Sequence, residues 1–422
     1  MSQFGKIPEL PADEVFALTA DFKNDKFPNK VNLGQGVYRD ENTQPWVLPS
    51  VKEARKILLE TPNLDHEYLP IIGSTTFLDL ARELVLGPEI SSKSNAVSVQ
   101  TISGTGANHL GAMFLAEQLK PKHVFISAPT WGNHHLIWTV AGPQVTQKTY
   151  PYYNPKNRSL DYEGMISTLE TQAVENDVVI LHACAHNPTG IDLTRDQWSN
   201  LAQLFKLKKL FAFFDSAYQG FATGDLEADA WAVRHFQQTL LDPSEDASAQ
   251  PAGLCIAQSF AKNFGLYGER AGAFHLTLPA NVPTAGAKSQ LLRIVRAEIS
   301  NPPLFGARIV QIVLSDARLR GMWEQDLRTM AGRIKGVRAL LRREIEKHPG
   351  VGDWGHIESQ IGMFSYTGLG EKHVRLLIEE YHIYLMKSGR VSMSGLNPGN
   401  VKYVGDAIAD VVKRVQAGSP RL

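Results

Sequence analysis

The sequence is poor in cysteine, has no long apolar run and carries no net charge. Its 422 residues include two cysteines, Cys184 and Cys255, and both stand in apolar runs that are typical of buried strands. Two isolated cysteines cannot form a finger-type zinc site, and without a sign of secretion we expect reduced thiols. Lysine plus arginine and aspartate plus glutamate number 43 each, which argues against a broad electrostatic surface for nucleic acid or membranes.

Signals for targeting are equally scarce. The stretch from Met1 to Pro11 lacks the basic start and apolar core of a signal peptide. No apolar run approaches the ~20 residues of a membrane-spanning helix. The final Pro420-Arg421-Leu422 loosely resembles the peroxisomal address Ser-Lys-Leu. We expect a cytoplasmic protein, with the peroxisome left open by these three residues.

Short apolar runs alternate with helical patterns from about residue 97 to residue 278, which predicts an α/β layer. Runs such as Val178-Val179-Ile180-Leu181 are apolar throughout, as expected for strands covered on both faces of a mainly parallel sheet flanked by helices. The predicted strands are 97–102, 123–127, 178–182, 210–214, 254–259 and 272–278.

The pattern changes after Asn301-Pro302-Pro303. Residues 305–346 read as strongly helical, strand-like pieces follow near 362–366 and 382–386, and a helix covers about 400–416. We therefore predict a large sheet domain at 47–316. A smaller α+β domain is built from an N-terminal arm and segment at 1–46 and from residues 317–422.

Chemically useful side chains follow the predicted strands, where ligands bind in such sheets. Lys262 comes just after an apolar strand and is flanked by Ser259 and Arg270, a hydroxyl and a guanidinium suited to a phosphate. An isolated lysine here would be an ordinary loop residue. A lysine amine beside a phosphate site is what a Schiff-base cofactor requires.

Asp215 ends a very apolar strand, and it is either a helix N-cap or a functional carboxylate. Burial would raise the pKa of this carboxyl unless a cation partnered it. A protonated pyridine nitrogen is such a cation. Taken alone, the residue favours the cap.

Two further segments follow strands. Ser103-Gly104-Thr105-Gly106 opens a helix and suits a single phosphate better than a dinucleotide. His182 and His186 lie four residues apart, so they could share a metal, but no further ligand completes a set and no metal site is predicted. Asn187 and Tyr218 add polar groups at strand ends. Together these residues are the types that a binding site for pyridoxal phosphate requires.

At this point the sequence resembles the aspartate aminotransferases, in the eukaryotic-like form of the class I, fold type I, pyridoxal-phosphate-dependent aminotransferase family. The resemblance runs from about Leu18 to Gln416. The motifs that carry it stand in order: Val31-Asn32-Leu33-Gly34-Gln35-Gly36-Val37-Tyr38-Arg39-Asp40, His66-Glu67-Tyr68-Leu69-Pro70, Pro129-Thr130-Trp131-Gly132-Asn133-His134, His182–Gly190, Ser259–Arg270, Ser300-Asn301-Pro302-Pro303, Gln360-Ile361-Gly362-Met363-Phe364 and Ser388-Gly389-Arg390.

The resemblance implies pyridoxal 5'-phosphate in the large domain and a role for each matching residue. Lys262 would form the Schiff base and carry the proton, with Asp215 on the ring nitrogen and Tyr218 as the other catalytic side chain. The remaining implied cofactor contacts are Asn187 on the phenolate oxygen together with Tyr218, Trp131 stacked on the ring, Ser103, Gly104, Thr105, Ser259, Arg270 and the neighbouring subunit's Tyr68 on the phosphate, and His134 and His182 supporting Asp215.

The substrate roles are implied in the same way. Arg390 would bind the α-carboxylate with Gly36 closing over it, Trp131 and Asn187 would also touch the substrate, and Arg296 of the neighbouring subunit would bind the distal carboxylate. Two guanidinium forks at a fixed separation select a dicarboxylate. The implied enzyme is a homodimer with shared sites that converts aspartate and 2-oxoglutarate into oxaloacetate and glutamate by ping-pong chemistry.

The sequence departs from the family pattern at a few places. Gln35 stands where a small aliphatic residue is usual, and Val37 replaces an alanine. Residues between Arg296 and Ser300 differ, and Ser392-Met393-Ser394 replaces an Asn-containing stretch. These departures bear on substrate range rather than on the chemistry.

Three alternatives remain. A broader aminotransferase that also accepts aromatic amino acids differs only in its donor range, which a panel of amino donors would reveal. A decarboxylase or lyase is disfavoured by two carboxylate clamps. A non-catalytic relative would be expected to lose Lys262 first, and the residue is present.

Overall fold

The computed structural model describes residues 3–418. Its α-helices are α1 Glu14–Asn24, α2 Pro49–Leu59, α3 Thr75–Leu86, α4 Pro88–Lys93, α5 Ser103–Gln118, α6 Asn133–Ala141, α7 Tyr162–Gln172, α8 Arg195–Lys208, α9 Leu226–Leu240, α10 Ala285–Glu298, α11 Phe305–Ser315, α12 Ala317–Glu346, α13 His356–Ser359, α14 Glu371–Tyr381 and α15 Val401–Gln416, and short 3-10 turns cover Gln3–Lys6 and Met393–Gly395.

The strands are β1 Val31–Asn32, β2 Asn95–Ile102, β3 His123–Ala128, β4 Thr146–Pro151, β5 Tyr153–Asn154, β6 Ser159–Leu160, β7 Val178–His182, β8 Phe211–Ser216, β9 Leu254–Ser259, β10 Ala271–Leu278, β11 Phe364–Tyr366, β12 Ile383–Tyr384 and β13 Arg390–Ser392. None of the helices in residues 3–418 combines the length and the apolar character that crossing a membrane demands.

The chain divides into two compact units. The first comprises Met1–Gln44, Gly336–Glu358 and Phe364–Leu422, and the second comprises Pro45–Lys335 and Ser359–Met363. The domain assignment at 1–46, 47–316 and 317–422 stays a prediction.

A seven-stranded sheet organises the second unit, in the order β2-β10-β9-β8-β7-β3-β4. Its strands are parallel except β10, which runs antiparallel to β2 and β9. Both faces are covered, since Phe213 packs in one apolar cluster and its neighbour Phe214 in another. Strands buried on both faces have no polar side to show, which explains the continuous apolar runs. The predicted α/β class with a mainly parallel sheet is confirmed.

The predicted strands match six of the seven in this sheet, and β7 and β9 have the predicted bounds. Strand β4 was not predicted. The predicted helical stretch 305–346 is two helices, because Asp316 interrupts it and accepts a 2.8 Å hydrogen bond from the backbone of Leu319. An aspartate in this position caps the new helix.

Two short sheets organise the first unit. Strand β1 pairs in parallel with β12, and β11 pairs antiparallel with β13. Helix α15 packs on α14 with an apolar face that includes Val404 and Ile408. The buried guanidinium of Arg338 donates to the carbonyls of Ile357 and Phe364, which ties the end of the long helix to β11.

Candidate active site

Four parallel neighbours, β3, β7, β8 and β9, end at the same side of the large sheet, which we call the carboxyl edge. His182 is the last residue of β7 and pairs in register with Asp215 near the end of β8. The segments that follow these strands carry most of the predicted site residues. The structure therefore brings together Thr130, Trp131, His134, His182, Asn187, Asp215, Tyr218, Ser259 and Lys262 in one unit.

Asp215 anchors a chain of hydrogen bonds. Its Oδ2 lies 3.0 Å from His134 Nε2, while Thr130 Oγ1 lies 2.9 Å from His134 Nδ1 and 3.3 Å from His182 Nε2. The backbone N–H of Asn187 donates to His182 Nδ1 at 3.4 Å. With one proton on each ring, a single arrangement satisfies all four contacts: His134 Nε2 donates to Asp215, Thr130 to His134, and His182 Nε2 to Thr130.

This chain keeps the Asp215 carboxyl ionised. Burial alone would raise its pKa, but the hydrogen bond from His134 and the charges of His134, His182 and Lys262 lower it below the ordinary value. Burial also holds the pKa of His182 well below its usual range. The carboxyl edge thus offers a buried anion whose orientation is fixed by the hydrogen bond from His134.

Lys262 follows β9 in a turn in which its carbonyl accepts from the backbone of Gly265 at 3.1 Å. Its Nζ lies 5.0 Å from the centroid of the Tyr218 ring. Burial lowers the pKa of this amine, Asp215 opposes the shift, and the positive charge of Arg270 adds to it. A lysine with a lowered pKa is a better nucleophile and base at neutral pH.

An anion cradle lies beside this lysine, formed by Ser103, Gly104, Ser259 and Arg270. The hydroxyls of Ser103 and Ser259 are 3.0 Å apart, and the backbone N–H of Ser103 donates to the carbonyl of Arg270 at 3.0 Å. Ser103 and Arg270 both adopt a left-handed backbone with φ 55°, a conformation that residues with a side chain rarely take.

Helix α5 begins at this cradle and has no side-chain cap on its first turn. The uncapped N–H groups and the exposed Thr105 therefore remain available to an anion. A Cβ built on Gly104 would lie 3.0 Å from Ser259 Cβ, so the absence of a side chain there keeps the space open.

The Asn187 side chain has an unsatisfied hydrogen-bond acceptor. Its Oδ1 is buried and has no hydrogen-bond partner within residues 3–418. Such atoms are rare in folded proteins, and at a site they are expected to be satisfied by a ligand. Trp131 is half-buried at the same edge, and its ring meets that of His134 edge-on with centroids 5.2 Å apart.

Two predicted substrate residues, Gly36 and Arg390, belong to the first unit. Arg390 is buried, donates from Nη2 to the carbonyl of Gly34 at 2.7 Å, and holds its guanidinium 4.2 Å from the centroid of the Phe364 ring. Tyr68 and Arg296 belong to the second unit and lie at its surface, with 87% of Tyr68 exposed.

Thr130 is the one residue of this network to which the sequence assigned no role. It comes shortly after the end of β3, so its place at the carboxyl edge was the available signal. In the described part of the chain, no three His, Cys, Asp or Glu side chains are grouped so that they could hold a metal ion.

The comparisons with known proteins agree with this geometry. Residues 28–408 match the family model of aminotransferase class I and II, and the chain belongs to this family. It is therefore an aminotransferase. It is 45% identical over 420 residues to an L-tyrosine:2-oxoglutarate aminotransferase of Aspergillus ustus, covering 97% of this chain and 78% of that protein. It is 44% identical over 418 residues to the cytoplasmic aspartate aminotransferase of Schizosaccharomyces pombe, covering 98% of both.

Solved structures give the same result. The cytoplasmic aspartate aminotransferase of Saccharomyces cerevisiae matches with a TM-score of 0.92 and 42% identity, over 97% of this chain and 98% of that one. An aromatic-amino-acid aminotransferase of Burkholderia pseudomallei, covalently bound to pyridoxal phosphate, matches with a TM-score of 0.91 and 37% identity, over 98% of this chain and 100% of that one.

Proposed function

We propose that this chain transfers an amino group from aspartate to 2-oxoglutarate with pyridoxal 5'-phosphate bound at the carboxyl edge, in two half-reactions of the ping-pong type. The observation that carries the proposal is the position of Lys262. Its amine has a lowered pKa and stands among an ionised buried carboxylate, Asp215, and an anion cradle.

The residues of the second unit fit this cofactor. The uncapped start of α5 and the hydroxyls of Ser103 and Ser259 suit a phosphate, and the unpartnered Oδ1 of Asn187 can accept a hydrogen bond from a donor group of a ligand. When bound, pyridoxal phosphate supplies an aldehyde that condenses with an amine and a protonated ring that accepts the electrons of the Cα–H bond.

The protein's own residues then have separate tasks. Ser103, Gly104, Thr105, Ser259 and Arg270 hold the phosphate, with Tyr68 contributed by a second copy of the chain. Asp215 would keep the ring nitrogen protonated, and His134 and His182 would orient its carboxylate. Asn187 and Tyr218 would hydrogen-bond the phenolic oxygen, and Trp131 would pack against the ring. Lys262 Nζ would serve as the base that takes the proton from the substrate Cα and as the acid that returns it.

Two arginines select the substrate in this proposal. Arg390 binds the α-carboxylate, and Arg296 of a second copy binds the distal carboxylate. Gly36, Trp131 and Asn187 are the other proposed substrate contacts. The exposure of Tyr68 and Arg296 supports a homodimer with shared sites. The exposed apolar side chains Ile7 and Leu10 of the N-terminal segment offer further surface for a second copy.

The second candidate is a broader aminotransferase that also takes aromatic amino acids. The relatives from Aspergillus ustus and Burkholderia pseudomallei, named for tyrosine and aromatic substrates, support it. Single turnovers with aspartate, glutamate, tyrosine and phenylalanine separate the candidates. A rate for tyrosine within tenfold of the rate for aspartate would favour the broader enzyme.

The experiment for the cofactor assignment uses Lys262→Ala. The wild type with added pyridoxal phosphate is expected to show a visible absorption band that Lys262→Ala lacks, because the band needs a covalent link to the amine. Lys288→Ala, on the exposed start of α10, is the matched control and is expected to keep the band. A wild-type protein without the band would refute the proposal.

We propose a cytoplasmic location, supported by the names of the two yeast relatives. The peroxisomal alternative rests on Pro420-Arg421-Leu422, which lies outside the described residues. A fluorescent reporter fused to the last ten residues separates the two compartments.

A further inference from the structure

The segment Gly34–Val37 of the first unit, which we call the carboxylate loop, continues directly from β1. The strand fixes its start, since Leu33 donates to the carbonyl of Tyr384 at 2.7 Å and accepts from the backbone of Ser392 at 2.6 Å. Arg390 donates to the carbonyl of Gly34 at 2.7 Å. The arginine proposed to hold the substrate α-carboxylate is thus bound to the first residue of this loop.

Ser394 holds the other end of the loop. Its hydroxyl donates to the carbonyl of Val37 at 2.8 Å and lies 2.9 Å from the hydroxyl of Ser392. A serine has one hydroxyl hydrogen, and Ser394 donates it to the carbonyl of Val37. The Ser392 hydroxyl must therefore be the donor to Ser394. Both serines are 1% exposed. One stretch of chain, from Arg390 to Ser394, therefore forms hydrogen bonds to both ends of the carboxylate loop.

Gln35 holds the middle of the loop from its other side. Its Oε1 accepts from Arg39 Nη2 at 3.0 Å, and its Nε2 reaches Thr19 Oγ1 of α1 at 3.4 Å. Arg39 is itself fixed by a 2.9 Å bond to the carbonyl of Thr43. The Gln35 side chain is thus engaged within its own unit.

These contacts have a common effect. Gln35 stands between Gly34 and Gly36, and glycines leave a free backbone with many conformations. Fixing such a segment before a ligand arrives removes an ordering cost from binding. The residues that fix it, Gln35, Ser392 and Ser394, are among the positions at which this chain departs from the pattern of the family it resembles.

We propose that Gln35 and Ser394 are positioning residues that preorganise the carboxylate loop and, through the carbonyl of Gly34, the guanidinium of Arg390 for the substrate α-carboxylate. This inference rests on the proposed role of Arg390. Because the α-carboxylate is common to every amino acid and 2-oxo acid, the effect applies equally to all substrates and does not set the donor range.

The test uses the full chain loaded with pyridoxal phosphate and the variants Ser394→Ala and Gln35→Met. We expect KM for aspartate and for 2-oxoglutarate to rise about three- to tenfold in each variant, the effect of one lost hydrogen bond, while kcat changes less than about twofold. Binding of succinate, a dicarboxylate without an amino group, weakens by the same factor. Amide hydrogen exchange of residues 34–37 becomes faster.

Two controls make the result specific. Gln35→Glu keeps the acceptor for Arg39 and is expected to restore KM to near the wild-type value. Ser98→Ala removes another buried serine hydroxyl, one that bonds His275 in the second unit, and is expected to leave KM unchanged. If Ser394→Ala fails to fold, Gln35→Met and Gln35→Glu decide the matter.

The inference is overturned if Ser394→Ala and Gln35→Met keep KM and succinate affinity within twofold of the wild type. Arg390→Gln, measured in parallel, separates this failure from a failure of the proposed function. A large rise in KM for Arg390→Gln alone leaves the function standing and removes the positioning role. An unchanged KM for Arg390→Gln removes both.

Discussion

His109 Nδ1 on α5 lies 3.0 Å from Glu298 Oε1 at the end of α10. The pair joins the helix that begins at the anion cradle to the helix that carries Arg296. The two side chains are 27% and 29% exposed. Since Arg296 comes two residues before Glu298, this ion pair fixes the end of α10 from which the arginine projects.

The pair predicts a pH-dependent stability. The hydrogen bond to Glu298 raises the pKa of His109, against burial, which lowers it. A raised pKa contributes stability that is complete below the unfolded value of about 6.5 and is lost as pH rises through the folded pKa. We expect His109→Gln to lower the free energy of unfolding by about 0.5–1 kcal/mol near pH 6 and by less near pH 9.

Urea denaturation at a fixed protein concentration measures this difference, because association would otherwise change the apparent stability. Glu298→Gln should reproduce the profile of His109→Gln, whereas His135→Gln, on α6, should not. An equal loss at both pH values would show that the charge of His109 does not stabilise the fold.

The close packing around Gly104 leads to a prediction about the affinity for the cofactor. A methyl group at this position would lie 3.0 Å from Ser259 Cβ and enter the anion cradle. We expect Gly104→Ala to raise the Kd for pyridoxal phosphate about tenfold, which corresponds to about 1.4 kcal/mol. Gly286→Ala is the control, because nothing lies within 4 Å of its added Cβ. Equal cofactor affinity in both variants would contradict a phosphate site at the cradle.

The role proposed for Arg296 leads to a prediction about substrate preference. Losing a pair of charge-assisted hydrogen bonds to the distal carboxylate should lower kcat/KM for aspartate and glutamate about 100- to 1,000-fold in Arg296→Leu. Activity on tyrosine should change much less, because its ring has no carboxylate. Arg293→Leu, on the same helix but paired with Glu117, is the matched control. Normal dicarboxylate activity in Arg296→Leu would rule out this role.

Much of the sheet could be predicted because strands buried on both faces have continuous apolar sequences. The runs at β7 and β9 have no polar face to show, and their predicted bounds match the structure. Strand β4 carries Thr146, Gln147 and Lys148 at the edge of the sheet, so its sequence is not continuously apolar. The direction of β10 was also not predictable, since apolar content is the same for parallel and antiparallel neighbours.

The positions of candidate site residues were predictable where a side chain lies near the end of a strand or shortly after it, as Asp215 of β8 and Lys262 after β9 do. The hydrogen-bond partners were not, because they depend on distances between segments far apart in sequence. Thr130 connects two histidines 48 residues from each other, at 134 and 182. The side chain of Gln35 likewise turns to Arg39 and Thr19, a direction that no sequence pattern gives.

The reversed direction of β10 has a consequence for how this enzyme tolerates insertions and deletions. The chain leaves the sheet at Ser259 and returns to the same edge at Ala271, where the backbone of Phe260 donates to the carbonyl of Ala271 at 3.1 Å. Lys262 and Arg270 therefore sit on one closed hairpin loop. Adding or removing a residue between them would displace the amine and the guanidinium relative to each other, so we expect an enzyme with a longer or shorter loop to lose activity.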